Sequence, residues 1–350
     1  MASWSAKRGP FTDHNPLSTN HCPFEVLTMQ ILFLPFNPVM QYWYDGFVEA
    51  VDGRYPITMY DHDKPVAPQF EGIDVVVACA GCTHEMVDAA VDAGVKLWQV
   101  LSVGVDHWDM PYFFRKEMPF ANTPGPFSAV ALAEHALTLM LLIAKNHRTA
   151  QANMRAERFS LPLNDELAGK KLGLVGLGAS GRELAKRGHA MGMEVMAVDI
   201  ADIPQSVRDE CNVSFFGDPS DMDHLITEAD YLSLHTPSTA QTKHMIGARQ
   251  LEMMKPTTVL INVARGLLVD EDALVEALQS GQIRAAGMDA FATEPLPSSH
   301  PLLQMDNMYC TPHIAGVTKE TTQRRGQAAA TNVERVSQGL EPLHLVTPDS

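Results

Sequence analysis

The chain has 350 residues, 45% of them hydrophobic, and a formal net charge of −16. Such a length and apolar content suit two ordinary domains with sizeable cores, and the acidic balance argues against nucleic-acid or membrane-surface partners. Five cysteines, an odd number in a long chain, read as reduced thiols in an intracellular, cytoplasmic setting.

Residues 1–25 are polar and rich in Pro, Asn and His, with no apolar segment of the signal-peptide kind, and are expected to form a disordered extension. Strand-like apolar runs follow at Gln30–Pro35, Ile57–Tyr60, Ile73–Ala78 and Lys96–Leu101. A helical stretch near Gln41–Val51 and another from the N-cap Thr83 to about Ala93 lie between them. This alternation predicts a parallel sheet in an α/β unit covering residues 26–122. Cys79 and Cys82 stand as a single C-x-x-C pair, short of the four ligands a structural zinc wants, so no metal site is expected. Trp108, Met110, Tyr112 and Phe113 read either as core or as a bulky wall for a ligand.

Thr123-Pro124-Gly125-Pro126 breaks the pattern and predicts a hinge. Phe127–His147 reads as a helix; its apolar part, Ala129–Ala144, is too short for a membrane span and contains Glu134 and His135. Gln151–Gly169 reads as a polar connector. Next comes the stretch Lys171–Asp199, where the strand Leu172–Val175 runs into Gly176-Leu177-Gly178-Ala179-Ser180-Gly181. A helix to about Met191, a second strand at Val195–Val198 and a terminal acid, Asp199, complete the unit. Strand, G-x-G-x-x-G turn, helix, strand and acid is the context in which this motif predicts dinucleotide binding. Gly176 permits the tight turn, Gly178 lets backbone approach a pyrophosphate, and Gly181 lets the helix pack on the strand. The helix N-terminus offers free N–H groups and partial positive charge. Asp199 suits the hydroxyls of an adenosine ribose and repels a 2′-phosphate, while Ile200-Ala201-Asp202 brings no Arg, so NAD is favoured over NADP.

Further strands are expected at Val213–Phe215, Tyr231–His235, Val259–Val263, Ile283–Met288 and Met308–Cys310. The last helix, Thr318–Gln338, is expected to pack back on the first domain, which would then comprise residues 26–122 plus 317–350 around a nucleotide domain of residues 123–316. The tail Glu341–Ser350 is expected to be loosely ordered. The predicted fold class is therefore α/β, with two Rossmann-like or flavodoxin-like doubly wound parallel sheets and a cleft between them.

Ligands gather outside the carboxyl ends of parallel strands. Three segments at or just past strand ends carry polar chemistry: Asn262–Gly266, Asp289–Pro295 and Thr311–Gly316. They bring Arg265, Glu294 and His313 toward one place. A histidine can give a proton to a carbonyl oxygen near neutral pH, a carboxylate beside it raises its pKa, and an arginine fork holds a carboxylate.

From about Val75 to Gly316 the chain resembles the D-isomer-specific 2-hydroxyacid dehydrogenases, relatives of phosphoglycerate dehydrogenase, glyoxylate/hydroxypyruvate reductase and formate dehydrogenase. The resemblance is carried in order by Ser102–His107, Asn122–Gly125, Ala133-Glu134-His135, the glycine motif, His235-Thr236-Pro237, the Arg265 segment, Glu294-Pro295, His300-Pro301-Leu302 and Thr311-Pro312-His313. It implies that His313 is the general acid/base, Glu294 its partner, and Arg265 the group orienting substrate carboxylate and carbonyl. Backbone N–H groups at Val103 and Gly104 would hold the carboxylate, and Asp289 would bind the nicotinamide amide. Cofactor contacts would also come from the motif backbone at Ala179 and Ser180, from His235, Thr236, Pro237 and Thr242, from Val263 and Ala264, and from Gly316. The resemblance further implies a homodimer through the NAD-binding domain, with Lys145–Leu167 as its arm. The family often has Arg-Ile where this chain has Ala179-Ser180. The loop Cys79–Thr83 also lacks the basic residue that phosphoglycerate enzymes often place there. Relatives of the same fold include NAD-responsive corepressors and a dehydrogenase of phosphite, so those readings stay open beside reduction of a 2-oxo acid.

Overall fold

The computed structural model describes residues 29–36, 40–79 and 81–348; the expected disorder of residues 1–25 lies outside the described residues. Two all-parallel sheets organise them. The first contains β1 (Ile31–Leu34), β2 (Ile57–Met59), β3 (Val75–Ala78), β4 (Leu97–Val100) and β5 (Phe120–Ala121), in the order β2-β1-β3-β4-β5. Every residue of β1, β3 and β4 is buried, as strands covered on both faces require. The connections carry α1 (Gln41–Val51), α2 (His84–Asp92), capped by the Thr83 hydroxyl, and α3 (Met110–Arg115). Trp108 and Phe113 pack against Trp98 and Phe120 in this sheet's core, so of the two readings for these aromatics core is the observed one.

After residues 123–128 come α4 (Ala129–Ala144) and α5 (His147–Arg155). This corrects the single helix expected to His147. Asn146 takes a left-handed conformation (φ 43°), and the two axes bend by 53°. Its Nδ2 donates to Leu163 O (2.9 Å), tying the turn to the far end of the connector. No single helix among the described residues is long and apolar enough to cross a membrane.

The second sheet contains β6 (Lys171–Val175), β7 (Glu194–Val198), β8 (Val213–Gly217), β9 (Tyr231–Leu234), β10 (Val259–Asn262), β11 (Ala285–Met288) and β12 (Met308–Cys310), ordered β12-β11-β10-β9-β6-β7-β8. Around it lie α4 and the connecting helices α6 (Ala179–Ala190), α7 (Gln205–Glu210), α8 (Met222–Glu228), α9 (Ala248–Met253) and α10 (Glu271–Ser280). The strand order reverses between β6 and β9, the position at which doubly wound sheets bind ligands.

The last helix, α11 (Lys319–Ser337), shares the core of the first sheet: Ala329, Ala330 and Val333 pack with Phe33, Phe47 and Val77. The described part of the tail, Glu341–Pro348, is not loose, contrary to expectation. Leu345 bridges Ala121, Val346 N–H donates to Phe120 O (2.8 Å), and Leu343 N–H donates to Asn332 Oδ1 (2.7 Å). The short strand β5 leaves an open edge, and the tail satisfies its backbone groups.

Candidate active site

The glycine turn joins β6 to α6 at the switch point. Gly176 has φ +99°, and a Cβ there would lie 2.6 Å from His235 O, so only glycine fits between the ends of β6 and β9. At Gly178, by contrast, a Cβ would meet nothing within 4 Å, leaving one side of the loop open. No side chain caps α6, and the N–H groups of Gly178, Ala179 and Ser180 find no protein acceptor among the described residues. Open space facing unpaired N–H groups at a helix N-terminus fits a pyrophosphate. The Asp199 carboxylate ends β7 beside this turn, accepting from Leu177 N–H (2.6 Å) and Ala201 N–H (2.9 Å). The residues present therefore fit a dinucleotide.

Ser180, one of the departures noted above, has a partner. Its hydroxyl lies 3.0 Å from His235 Nδ1, and the Ser233 hydroxyl lies 2.9 Å from His235 Nε2. Burial pushes the His235 imidazole down to about 4, so it is neutral at pH 7. Thr236 and Pro237 follow, and Thr242 accepts from Thr239 N–H (2.8 Å) while donating to Pro237 O (2.8 Å), which closes this loop on itself.

The polar groups converge at the ends of β10, β11 and β12. Past β10, Val263 and Ala264 are buried, and Asn262 shapes the turn: its Nδ2 donates to Arg265 O (2.9 Å) and its Oδ1 accepts from Ala264 N–H (3.1 Å). Past β11, Asp289 is 1% exposed. Its carboxylate accepts from Thr311 Oγ1 (2.6 Å), Ile314 N–H (2.8 Å) and Ala315 N–H (2.7 Å), and its carbonyl from His313 N–H (2.9 Å). His135 on α4 joins this network through Thr311 (2.8 Å). Asp289 thus clasps the segment that carries His313, whose own backbone is left-handed at φ 54°. The segment ends at Gly316, which faces Leu132 and Ser128.

His313 Nδ1 lies 2.7 Å from Glu294 Oε2, and Glu294 Oε1 accepts from Phe291 N–H (2.9 Å). The hydrogen bond to Glu294 holds the imidazole above its ordinary range, although burial opposes it and the nearby Arg265 charge lowers it too. Burial would raise the Glu294 carboxyl, but the bonds from His313 and Phe291 win and its pKa falls. A charged pair is favoured, with Nε2 of His313 left for a ligand.

Across from this cluster, the loop after β4 is tied down through its carbonyl groups. Ser102 Oγ donates to Gly104 O (3.1 Å), Asn122 Nδ2 to Val103 O (2.8 Å), and Thr123 N–H to Ser102 O (3.0 Å). Neither Val103 nor Gly104 N–H has a protein acceptor among the described residues. Arg265 reaches this loop from the other sheet. Its Nε contacts both oxygens of Asp106 (3.1 and 3.2 Å), its Nη1 donates to Ala264 O (2.8 Å), and its Nη2 lies against Gly104, in the space a Cβ would take.

Of the residues singled out from sequence, Gly176, Ser180, Asp199 and His235 gather at the glycine turn, His313 meets Glu294, and Arg265 meets the loop of Val103 and Gly104, while Thr242 bonds within its own loop. Sequence reasoning passed over Asp106 and Asn262, which hold Arg265, and His107, whose pKa burial lowers and on which the charges of Asp106, Arg265 and His313 also act. Only the position of Asp106 inside the Ser102–His107 segment hinted at its use.

The family profile "D-isomer specific 2-hydroxyacid dehydrogenase, NAD binding domain" matches residues 137–315. A glyoxylate reductase from Thermofilum pendens is 37% identical over 274 residues, covering 76% of this chain and 78% of the relative. A D-3-phosphoglycerate dehydrogenase from Methanocaldococcus jannaschii is 36% identical over 76% of this chain, which spans only 50% of that longer protein. Among solved structures, the NAD-complexed D-isomer specific 2-hydroxyacid dehydrogenase of Lactobacillus delbrueckii ssp. bulgaricus superposes with a TM-score of 0.76 at 27% identity, covering 91% of this chain and 100% of that one. With two doubly wound parallel sheets, a nucleotide turn and a polar cluster beside it, the chain belongs to the D-isomer-specific 2-hydroxyacid dehydrogenase family.

Proposed function

We propose that the protein is an NAD-dependent oxidoreductase that interconverts a small 2-oxo acid and the matching D-2-hydroxy acid. The observation that carries this reading is the convergence of a carboxylate-backed imidazole, a guanidinium and two unpaired backbone N–H groups beside a dinucleotide turn. Relatives named glyoxylate reductase, D-3-phosphoglycerate dehydrogenase and hydroxypyruvate reductase support the substrate class.

In this reading the substrate carboxylate accepts from Val103 and Gly104 N–H and from Arg265 Nη2, in the manner of an anion nest. Asp106 and Ala264 O fix the rest of the guanidinium. His313 Nε2 gives its proton to the keto oxygen, and Glu294 stabilises the charged form before that transfer. Bound NADH would supply the hydride that the carbonyl carbon takes up. The N–H groups of Gly178, Ala179 and Ser180 would hold its pyrophosphate, and Asp199 its adenosine ribose. His235, Thr236, Pro237, Thr242, Val263, Ala264, Asp289 and Gly316 would line the remainder. We assign NAD in preference to NADP because the Asp199 carboxylate repels a 2′-phosphate.

We divide the chain into a substrate domain (residues 26–122 plus 317–350) and a nucleotide domain (residues 123–316). We also infer a homodimer through the nucleotide domain. Phe159 (73% exposed), Leu161 (58%) and Leu163 (93%) on the arm are apolar side chains that a partner subunit would cover. We also assign a cytoplasmic location, with no nucleic-acid or membrane-surface partner, in keeping with the net charge of −16.

The test is loss of NADH absorbance with glyoxylate, hydroxypyruvate and larger 2-oxo acids. Turnover with at least one is expected. No turnover with any, together with NADH-dependent dimerisation, would replace this reading with a nucleotide-sensing binding protein.

A further inference from the structure

Arg325 is a buried guanidinium without a counter-ion. It sits on α11 and is only 8% exposed. No Asp or Glu among the described residues forms an ion pair with it. Its side chain makes one hydrogen bond there, from Nη1 to Leu101 O (3.0 Å). The guanidinium carbon lies 5.3 Å from the Trp43 ring centroid, and Nε is buried with no acceptor. Burial first, then the charges of Arg265 and Arg324, push this group down to about 10, so it is still a cation at pH 7. A buried cation among like charges is costly unless an anion joins it.

Its position points to where that anion belongs. Leu101 directly precedes the loop whose N–H groups at Val103 and Gly104 are free. Nη2 lies 3.8 Å from the place a Cβ would take on Gly316, three residues beyond His313, so no side chain at 316 covers it. Arg265, past β10, is among the charges that act on Arg325 on α11. A single ligand carrying two negative groups would neutralise both.

We propose that Arg325 recognises a second anionic group, a distal carboxylate or phosphate, on the same 2-oxo acid whose first carboxylate Arg265 holds. This rests on the oxidoreductase reading above and narrows its substrate to doubly anionic acids. The absence of a basic residue in the Cys79–Thr83 loop does not count against such a substrate, because the cation comes from α11 instead.

The test compares kcat/KM for matched acids: pyruvate with oxaloacetate, and hydroxypyruvate with its 3-phosphate. The wild-type protein is expected to favour the doubly anionic member of at least one pair by tenfold or more, and the favoured pair identifies the second group as carboxylate or phosphate. In Arg325→Met that ratio should fall by about tenfold or more, toward unity, the size expected when a charge-assisted contact is lost. Arg325→Lys should restore part of it. Titration calorimetry of D-malate against D-lactate, with NADH bound, supplies a readout independent of turnover: the preference for D-malate should vanish in Arg325→Met unless phosphate is the favoured group. An unchanged ratio, or equal losses on both members of each pair, would reduce Arg325 to a support for Leu101 and overturn the proposal. Turnover failing with every acid would instead count against the oxidoreductase reading. Calorimetry would then judge Arg325 alone, with absence of binding by both D-malate and the phosphorylated acid overturning it.

Discussion

Two ion pairs meet in the cleft, and they are held by different means. Glu294 and His313 sit just past neighbouring strands of one sheet, 2.7 Å apart, with Phe291 N–H fixing the acid and Asp289 clasping the turn that carries the base. Arg265 and Asp106 are 159 residues apart in sequence and belong to different sheets; their contacts are 3.1 and 3.2 Å. The first pair is assembled from segments of one sheet alone. The second exists only when the sheets approach. On the proposed reading, the proton-handling groups would be preorganised and the substrate-holding group completed when the cleft closes to exclude water.

Breaking the first pair is expected to have the largest effect. His313→Ala should lower kcat by about 10³-fold, the range for losing a positioned acid, while NADH affinity, read by fluorescence titration, changes little. A parallel loss of NADH binding would remove His313 from the proton-transfer role. Arg265→Ala should raise KM for the acid about 100-fold, and Arg265→Lys should recover little because one ammonium cannot replace the fork. An unchanged KM would take Arg265 out of the carboxylate site.

Asp289→Ala should leave Ile314 and Ala315 N–H without their acceptor and cost about 3 kcal/mol in denaturant unfolding. Loss of activity without loss of stability would contradict its part as the clasp. The smallest effect is expected at Asp106: Asp106→Asn should raise KM about tenfold with kcat nearly kept, since Arg265 loses its guide but not its charge. A fall in kcat with KM unchanged would mean that closure is not what Asp106 serves.

Much of this was legible in the chain before any coordinates. The glycine turn, the buried strands and the Arg265, Glu294 and His313 segments are local patterns, in which a few adjacent residues declare both backbone shape and chemistry. Long-range features were not. Nothing near Asp106 says that it will hold an arginine 159 residues away, and α11 reads as an ordinary amphipathic helix until folding buries Arg325 with no carboxylate paired to it among the described residues. The break at Asn146 was missed because an apolar helical pattern hides one left-handed residue, and the tail because it has no pattern of its own beyond the edge strand it completes. Ser180 looked like a departure from the family's motif; its hydroxyl turns out to meet His235.

The most direct test of the central claim, that Glu294 keeps His313 charged as the proton donor, is the pH dependence of kcat/KM for reduction in the wild type and in Glu294→Gln. The hydrogen bond to Glu294 raises the His313 pKa above its ordinary 6.5, and burial only partly offsets this. Reduction needs the protonated ring, so activity should be full at low pH and fall as pH rises through that elevated value. Glu294→Gln should move the falling limb to lower pH and leave its shape otherwise intact; a limb that stays where the wild type has it would contradict the account.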